Sequence, residues 1–200
     1  MRLPNTEHTS RPWRIHELTH DFHLEDVWEL PGRGGPGDFP RLVEMFASED
    51  PSQSSSAVVR TLFAIRWKLG ELLGWDAEDG DADAPRPTLR DRLPPDLRQG
   101  PPGPDFARAP FTGVYLLADE CASEIVNRTV HGVLHVGWVP DPAGGFRGEM
   151  AVYVKPNGLL GKAYMAAIAP FRHLVVYPPM LREIGRDWRA RRPVPVTAPA

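Results

Sequence analysis

The sequence predicts an α+β domain in which an antiparallel sheet packs against one long, kinked C-terminal helix. Three observations predict it. Across residues 157–188, Leu160, Tyr164, Ile168, Phe171, Val175, Leu181, Ile184 and Trp188 recur roughly every three to four positions, the mark of one apolar helical face. Just before them, Phe146, Met150, Val152 and Val154 alternate with Arg147, Glu149, Tyr153 and Lys155, as a half-buried strand does. The Pro-Asp-Pro-Ala-Gly-Gly turn at residues 140–145 joins that strand to the long apolar stretch before it.

Taken in order, residues 1–10 read as a loose start. Residues 13–18, Trp-Arg-Ile-His-Glu-Leu, alternate and predict a first strand. Residues 23–30 predict a short helix with Leu24, Val27 and Trp28 on one side, and residues 39–46 a second. Between them, residues 32–37 form a glycine-rich turn. It lacks the Lys-Ser/Thr of a phosphate-binding loop, and no strong strand feeds it. Ser56 caps a predicted helix over 57–73, striped by Val58, Leu62, Ile65, Leu69 and Leu72 and stopped by Gly74.

Residues 76–109 are an acidic run followed by many prolines, and read as a long loop with one helical turn at 88–93. The run lacks the ligand positions and closing glutamate of a calcium-binding EF-hand loop. Residues 111–118 predict a strand. Residues 122–139 predict a long strand, or two broken near Asn127 or Gly132. Asn157 is a good N-cap for the last helix, and Pro170 and the Pro178-Pro179 pair should interrupt it. Arg186, Arg189, Arg191 and Arg192 crowd its far end, where positive charge suits the helix dipole, and read as a solvated helix end.

The hairpin register decides what lies beneath the helix. With Val139 opposite Phe146, His135 faces Met150, Val133 faces Val152 and His131 faces Val154. Asn127, Thr129, His131 and His135 then point inward. That is the preferred register, and it leaves Leu134, Val136 and Trp138 outside as a partner face or beneath another segment. A slip of one residue would turn the polar set toward water and make Leu134, Val136 and Trp138 core.

The 200 residues suit a single domain, 42% of them hydrophobic. Charge is mixed, with 23 basic against 26 acidic side chains and a net charge of −3, so nothing favours nucleic acid. The single cysteine, Cys121, allows no internal disulfide and no thiolate zinc cluster, and suits a cytoplasmic setting. The sequence carries no apolar leader and no stretch suited to membrane insertion.

The strands leading into this helix resemble the helix-grip fold of the START-like superfamily, which includes the birch-pollen-allergen type, polyketide cyclase/dehydrase and lipid-transport (SRPBCC) proteins. The similarity rests most on Tyr164, on Ala-Pro-Phe-Arg-His at 169–173 and on Met-Leu-Arg-Glu-Ile at 180–184, which look like the terminal helix of bacterial members, several of unknown function. The resemblance implies a curved sheet gripping the helix around an apolar cavity. It implies a ligand that is a small apolar or aromatic molecule, with no cofactor, and leaves a homodimer open. Tyr115, Asn127, Met150, Val152, Tyr164, Ile168, Phe171 and Arg172 are the candidate ligand-binding residues. A carrier or sensor is the leading reading, a cyclase/dehydratase-like enzyme the second and a filled-core interaction module the third. His131 and His135 are the candidate acid/base residues, because neutral imidazole is poised near pH 7. Their alpha carbons, four strand residues apart, stand about 13 Å from each other, too far for joint metal ligation. Glu120 and Glu124 read as surface carboxylates and Cys121 as an ordinary thiol.

Overall fold

The computed structural model describes residues 1–48, 87–106, 111–127, 129–158, 161, 165–166 and 172–190. The elements are β1 (Arg2–Leu3), α1 (Asn5–Thr9), α2 (Ile15–Leu18), β2 (His23–Gly34), α3 (Phe39–Ser48), a 3₁₀ turn (Arg90–Arg92), α4 (Pro95–Gln99), β3 (Thr112–Leu116), β4 (Glu120–Val126), β5 (Val130–Pro140), β6 (Phe146–Pro156), a π-helical turn (Arg172–Val176) and α5 (Tyr177–Ala190). The six strands form one antiparallel sheet in the order β1-β2-β6-β5-β4-β3. The α+β class and the curved antiparallel sheet with a C-terminal helix are as the sequence predicts.

The hairpin takes the slipped register. Phe146 pairs with Pro140, Arg147 with Val139, Ala151 with His135 and Lys155 with His131. Val136, Met150 and Trp138 therefore face the C-terminal helix, and His131 and His135 face away from it. The slipped register should have put those histidines in water, yet they are 5% and 0% exposed. The reason is that both faces of the sheet are covered. On one face, Trp28, Leu30, Val136, Trp138 and Met150 pack on Phe39, Leu42 and Met45 of α3 and on Tyr177, Ile184 and Trp188 of α5. On the other, Tyr115, Val133, Val139 and Tyr153 pack on Leu3, Trp13, Ile15 and Leu18 from the N-terminal segment and on Leu89, Leu93 and Leu97.

Two-sided burial also explains the misread first half. The segment 23–30 is a strand, not a helix. Val27 and Trp28 are adjacent and both buried because they serve opposite faces, which mimics helical spacing. Arg33 and Gly34, expected in the glycine-rich turn, still pair with β6, and the strand ends at Gly34. The predicted strand at 13–18 is a turn and a short helix, since its amides bond locally: His16 N to Trp13 O at 3.3 Å and Thr19 N to Ile15 O at 3.1 Å. Residues 1–10 are not loose. Arg2 and Leu3 pair with Trp28 and Val27, and His8 is fully buried. The strand at residues 111–118, the break at Asn127 and the helix over 39–46 stand as expected.

The turn at Arg90–Arg92 is the one expected, and α4 beside it was not foreseen. The predicted helix over 57–73 and the acidic run lie outside the described residues. Residues 101–106 cover the edge of β3: Leu116 N donates to Pro101 O at 3.0 Å and Gly113 N to Asp105 Oδ1 at 2.9 Å. A Cβ on Gly113 would stand 2.6 Å from Gly103 O and 2.7 Å from Pro102 O, both backbone atoms that cannot step aside. Gly113→Ala should therefore lose ~1–3 kcal/mol, read as a lower urea midpoint. Gly37→Ala, whose Cβ would meet nothing within 4 Å, should not.

The α-helical winding is interrupted just before the Pro178-Pro179 pair, where a π-helical turn over Arg172–Val176 runs directly into α5, while Pro170 lies outside the described residues. The wider winding accommodates carbonyls that the prolines cannot serve. Trp188 anchors the far end: its Nε1 donates to Arg33 O at 3.0 Å, its ring meets Trp138 at 5.8 Å, and the Arg41 guanidinium lies 3.9 Å over it.

Candidate functional site

Among the described residues, a polar cluster lies on each face of the sheet. On the face away from the C-terminal helix, Glu120 accepts from Tyr115 Oη at 2.8 Å, Arg14 N at 2.9 Å and His135 Nε2 at 2.9 Å. Glu124 bonds His131 Nε2 at 2.7 Å and accepts from Leu89 N at 2.8 Å. His8 Nδ1 meets Glu149 Oε1 at 2.9 Å, and its ring stands 4.9 Å from that of His135. Both glutamates on β4 are 3% exposed, so the surface reading of Glu120 and Glu124 is corrected. The alternation along β4 could have revealed it, because both face the same side as Ala122 and Val126.

Burial outweighs the Glu149 hydrogen bond and lowers the affinity of His8 for a proton. Burial does the same to His135 against its Glu120 bond. Burial opposes ionisation of Glu120, but its bonds to His135, Arg14 N and Tyr115 hold it below the usual carboxylate range. Burial pushes the Tyr115 phenol and, to about 12, the Cys121 thiol upward, so Cys121 is an inert buried thiol. This cluster ties the N-terminal segment and residues 87–97 to the sheet.

The second cluster lies on the helix face. Asp26 follows an irregularity in the β2–β6 register between Leu24 and Asp26, the kind of bulge that re-aims side chains. Its carboxylate is fully buried. His173 Nε2 bonds Asp26 Oδ1 at 2.5 Å, Tyr177 Oη donates to Oδ2 at 3.2 Å, and Arg172 Nη2 lies 3.2 Å from Oδ2. Arg172 also donates to Glu25 Oε2 at 2.9 Å, and Arg2 stands 3.5 Å from Asp26. Trp28 completes the group, with ring centroids 4.8 Å from Tyr177 and 6.4 Å from His173. His173 and Tyr177 come from the π-helical turn and the start of α5, four residues apart. Burial and the Asp26 charge push the Tyr177 phenol upward. With Nε2 committed to a buried carboxylate, the other ring nitrogen of His173 is available to a ligand, since the side chain is 29% exposed.

The candidate residues fall on both faces. His131, His135 and Tyr115 sit in the first cluster and not under the helix. Asn127 caps the β4–β5 turn, its Oδ1 accepting from Thr129 N at 2.9 Å and Val130 N at 3.0 Å. Met150 and Val152 lie on the helix face, and Arg172 in the second cluster. Tyr164, Ile168 and Phe171 lie outside the described residues. Asp26 and Tyr177 were missed. A carboxylate between Leu24 and Val27 was the available signal, hidden by the helical reading.

Also on the helix face, a cavity of about 10 Å³ opens between Phe46, Phe106, Cys121 and Leu134. It holds no more than about one water. Among the described residues no group of three His, Cys, Asp or Glu side chains is placed to hold a metal. None of the described helices is long and apolar enough to cross a membrane.

An antiparallel sheet clasped between an N-terminal segment and a C-terminal helix, with a buried carboxylate at the helix joint, defines the class. The chain belongs to the family described as Protein of unknown function (DUF2867), whose model matches residues 18–179. That match takes in Asp26, His173 and Tyr177. No curated protein and no solved structure matches the chain.

Proposed function

We propose that this is a small-molecule-binding protein of the START-like kind, which holds an apolar or aromatic ligand between the sheet and the C-terminal helical segment. The second cluster fixes the ligand's polar end. The observation that carries this reading is Asp26: a fully buried carboxylate, gripped by His173, Tyr177 and Arg172, beside the half-buried apolar side chains of Leu134 and Val152 on the same sheet face. An apolar wall with a few converging polar groups suits an amphiphilic organic ligand. With Nε2 held on Asp26, the tautomer that donates there leaves Nδ1 to accept a hydrogen bond. The ligand should therefore carry a hydroxyl or similar donor.

An acid/base enzyme is the second reading. A buried carboxylate orienting an imidazole whose other nitrogen is free is the arrangement a general base needs. On this reading the proton-transferring group is His173, not His131 or His135.

The test is binding of 1-naphthol and naphthalene, followed by fluorescence, together with native mass spectrometry of the purified protein for a retained ligand. The hydroxylated probe should bind more tightly, and His173→Ala should weaken it about tenfold while leaving naphthalene unchanged. His131→Ala should leave the preference for naphthol intact. Absence of binding by either aromatic would sink the small-molecule reading; equal affinity for both would remove the polar anchor.

A further inference from the structure

A groove of about 780 Å³ runs between the end of β2 and the outer face of α5, lined among the described residues by Pro31, Pro179, Leu181, Gly185, and the three arginines Arg182, Arg186 and Arg189. Gly185 lets helix and strand approach this closely: a Cβ there would stand 3.1 Å from Pro31 Cγ. The arginines recur at i, i+4 and i+7, so they form one stripe about 10 Å long. Glu183 and Asp187 of the same helix fall off that stripe.

Pairing sets two of these arginines, Arg182 and Arg189, apart. Several other arginines are engaged: Arg14 with Asp96 and Glu17, Arg33 with Asp141, Arg92 with Asp21, Arg172 with Glu25, Arg41 with Trp188. Arg186 has a distant partner in Glu183 at 3.9 Å. Among the described residues, Arg182 and Arg189 have no carboxylate within ion-pair reach, and both are exposed. This happens in a chain with more acids than bases, 26 against 23. Placing the guanidinium groups of Arg182 and Arg189 beside that of Arg186 along one groove raises the local positive potential and favours an anionic occupant.

We propose that this groove is a docking site for an acidic peptide segment of a partner protein. Carboxylates spaced along a helix or a short extended segment match a stripe of this length, and guanidinium binds carboxylate with a bidentate fork. Pro31, Pro179 and Leu181 supply an apolar floor for one aliphatic anchor, which a peptide has and a nucleic-acid backbone does not. A net charge of −3 also works against a long polyanion.

The experiment is fluorescence anisotropy with the full chain and a labelled glutamate-rich peptide bearing a central leucine. The controls are its lysine-for-glutamate counterpart and labelled single-stranded DNA. The glutamate peptide should bind saturably and more weakly as salt rises, and R182E/R189E should weaken it at least about tenfold. R182Q/R189Q, which keeps polar side chains at both sites, should weaken it less. Circular dichroism should show both variants folded; if the reversal variant unfolds, the glutamine variant decides. No saturable binding, binding unchanged in the variants, or tighter binding of DNA than of the peptide would each overturn the proposal.

Discussion

Glu120→Ala should destabilise the fold by about 4 kcal/mol, the largest effect expected of any single substitution considered. Glu120 is 3% exposed and accepts from three donors at once, Tyr115 Oη, Arg14 N and His135 Nε2. Alanine leaves all three unmet in a dry site, and each orphaned buried donor costs about 1–3 kcal/mol. Glutamine can accept from only part of the set, so Glu120→Gln should fall between. Glu17→Ala removes an exposed ion pair with Arg14 and should cost less than about 1 kcal/mol. Urea denaturation at neutral pH reads the series. Because Glu120 holds the backbone of Arg14 to β4, amide exchange over residues 8–18 should quicken first. An unchanged urea midpoint in Glu120→Ala would mean that the N-terminal segment is held by its apolar contacts alone.

The second half of the sheet was legible in the sequence because Phe146, Met150, Val152 and Val154 keep strict alternation and the turn at 140–145 leaves little room for another topology. The hairpin register was not. Val133, His135 and Val139 read equally well as an inner row or an outer one, since both rows of β5 are largely buried and the polar/apolar contrast that fixes register is absent. The same cause misassigned β2, where Asp26, Val27 and Trp28 are consecutive and all buried. A strand covered on both faces loses its period of two, and a bulge disturbs what remains. The site was legible to the same limited degree. Arg172 stood out on a predicted helix. Its partners Glu25 and Asp26 lie about 147 residues away, and only topology brings them together. The covering N-terminal segment was legible least, because His8, Trp13 and His16 find their place only against Glu149, His135 and Tyr153.

That covering face predicts an unusual acid response. His8 and His135 lie ring to ring at 4.9 Å, faced by Glu149, Glu120, Arg11, His16, Trp13 and Tyr153. Burial holds both histidines below their ordinary value of 6.5. The unfolded chain then takes up protons before the folded one does, so stability falls as pH drops below about 6.5 and keeps falling until the folded histidines titrate. Two such groups can remove at most about 2 kcal/mol between pH 6.5 and 5.5. Glu120 and Glu149 lie below their ordinary 4.5, burial being outweighed by their hydrogen bonds, so their stabilisation is full above that value and is lost as pH falls beneath it. Acid unfolding should therefore begin a full two pH units before carboxylates alone would start it. Urea titrations across this range measure the slope, and His8→Gln/His135→Gln should flatten the part between 6.5 and 5.5 while leaving the part below 4.5. Were the pairs imidazolium–carboxylate bridges instead, the histidines would be raised, and stability would hold or grow on the way down through pH 6.5. The sign of that slope distinguishes a neutral, hydrogen-bonded clasp from an ionic one.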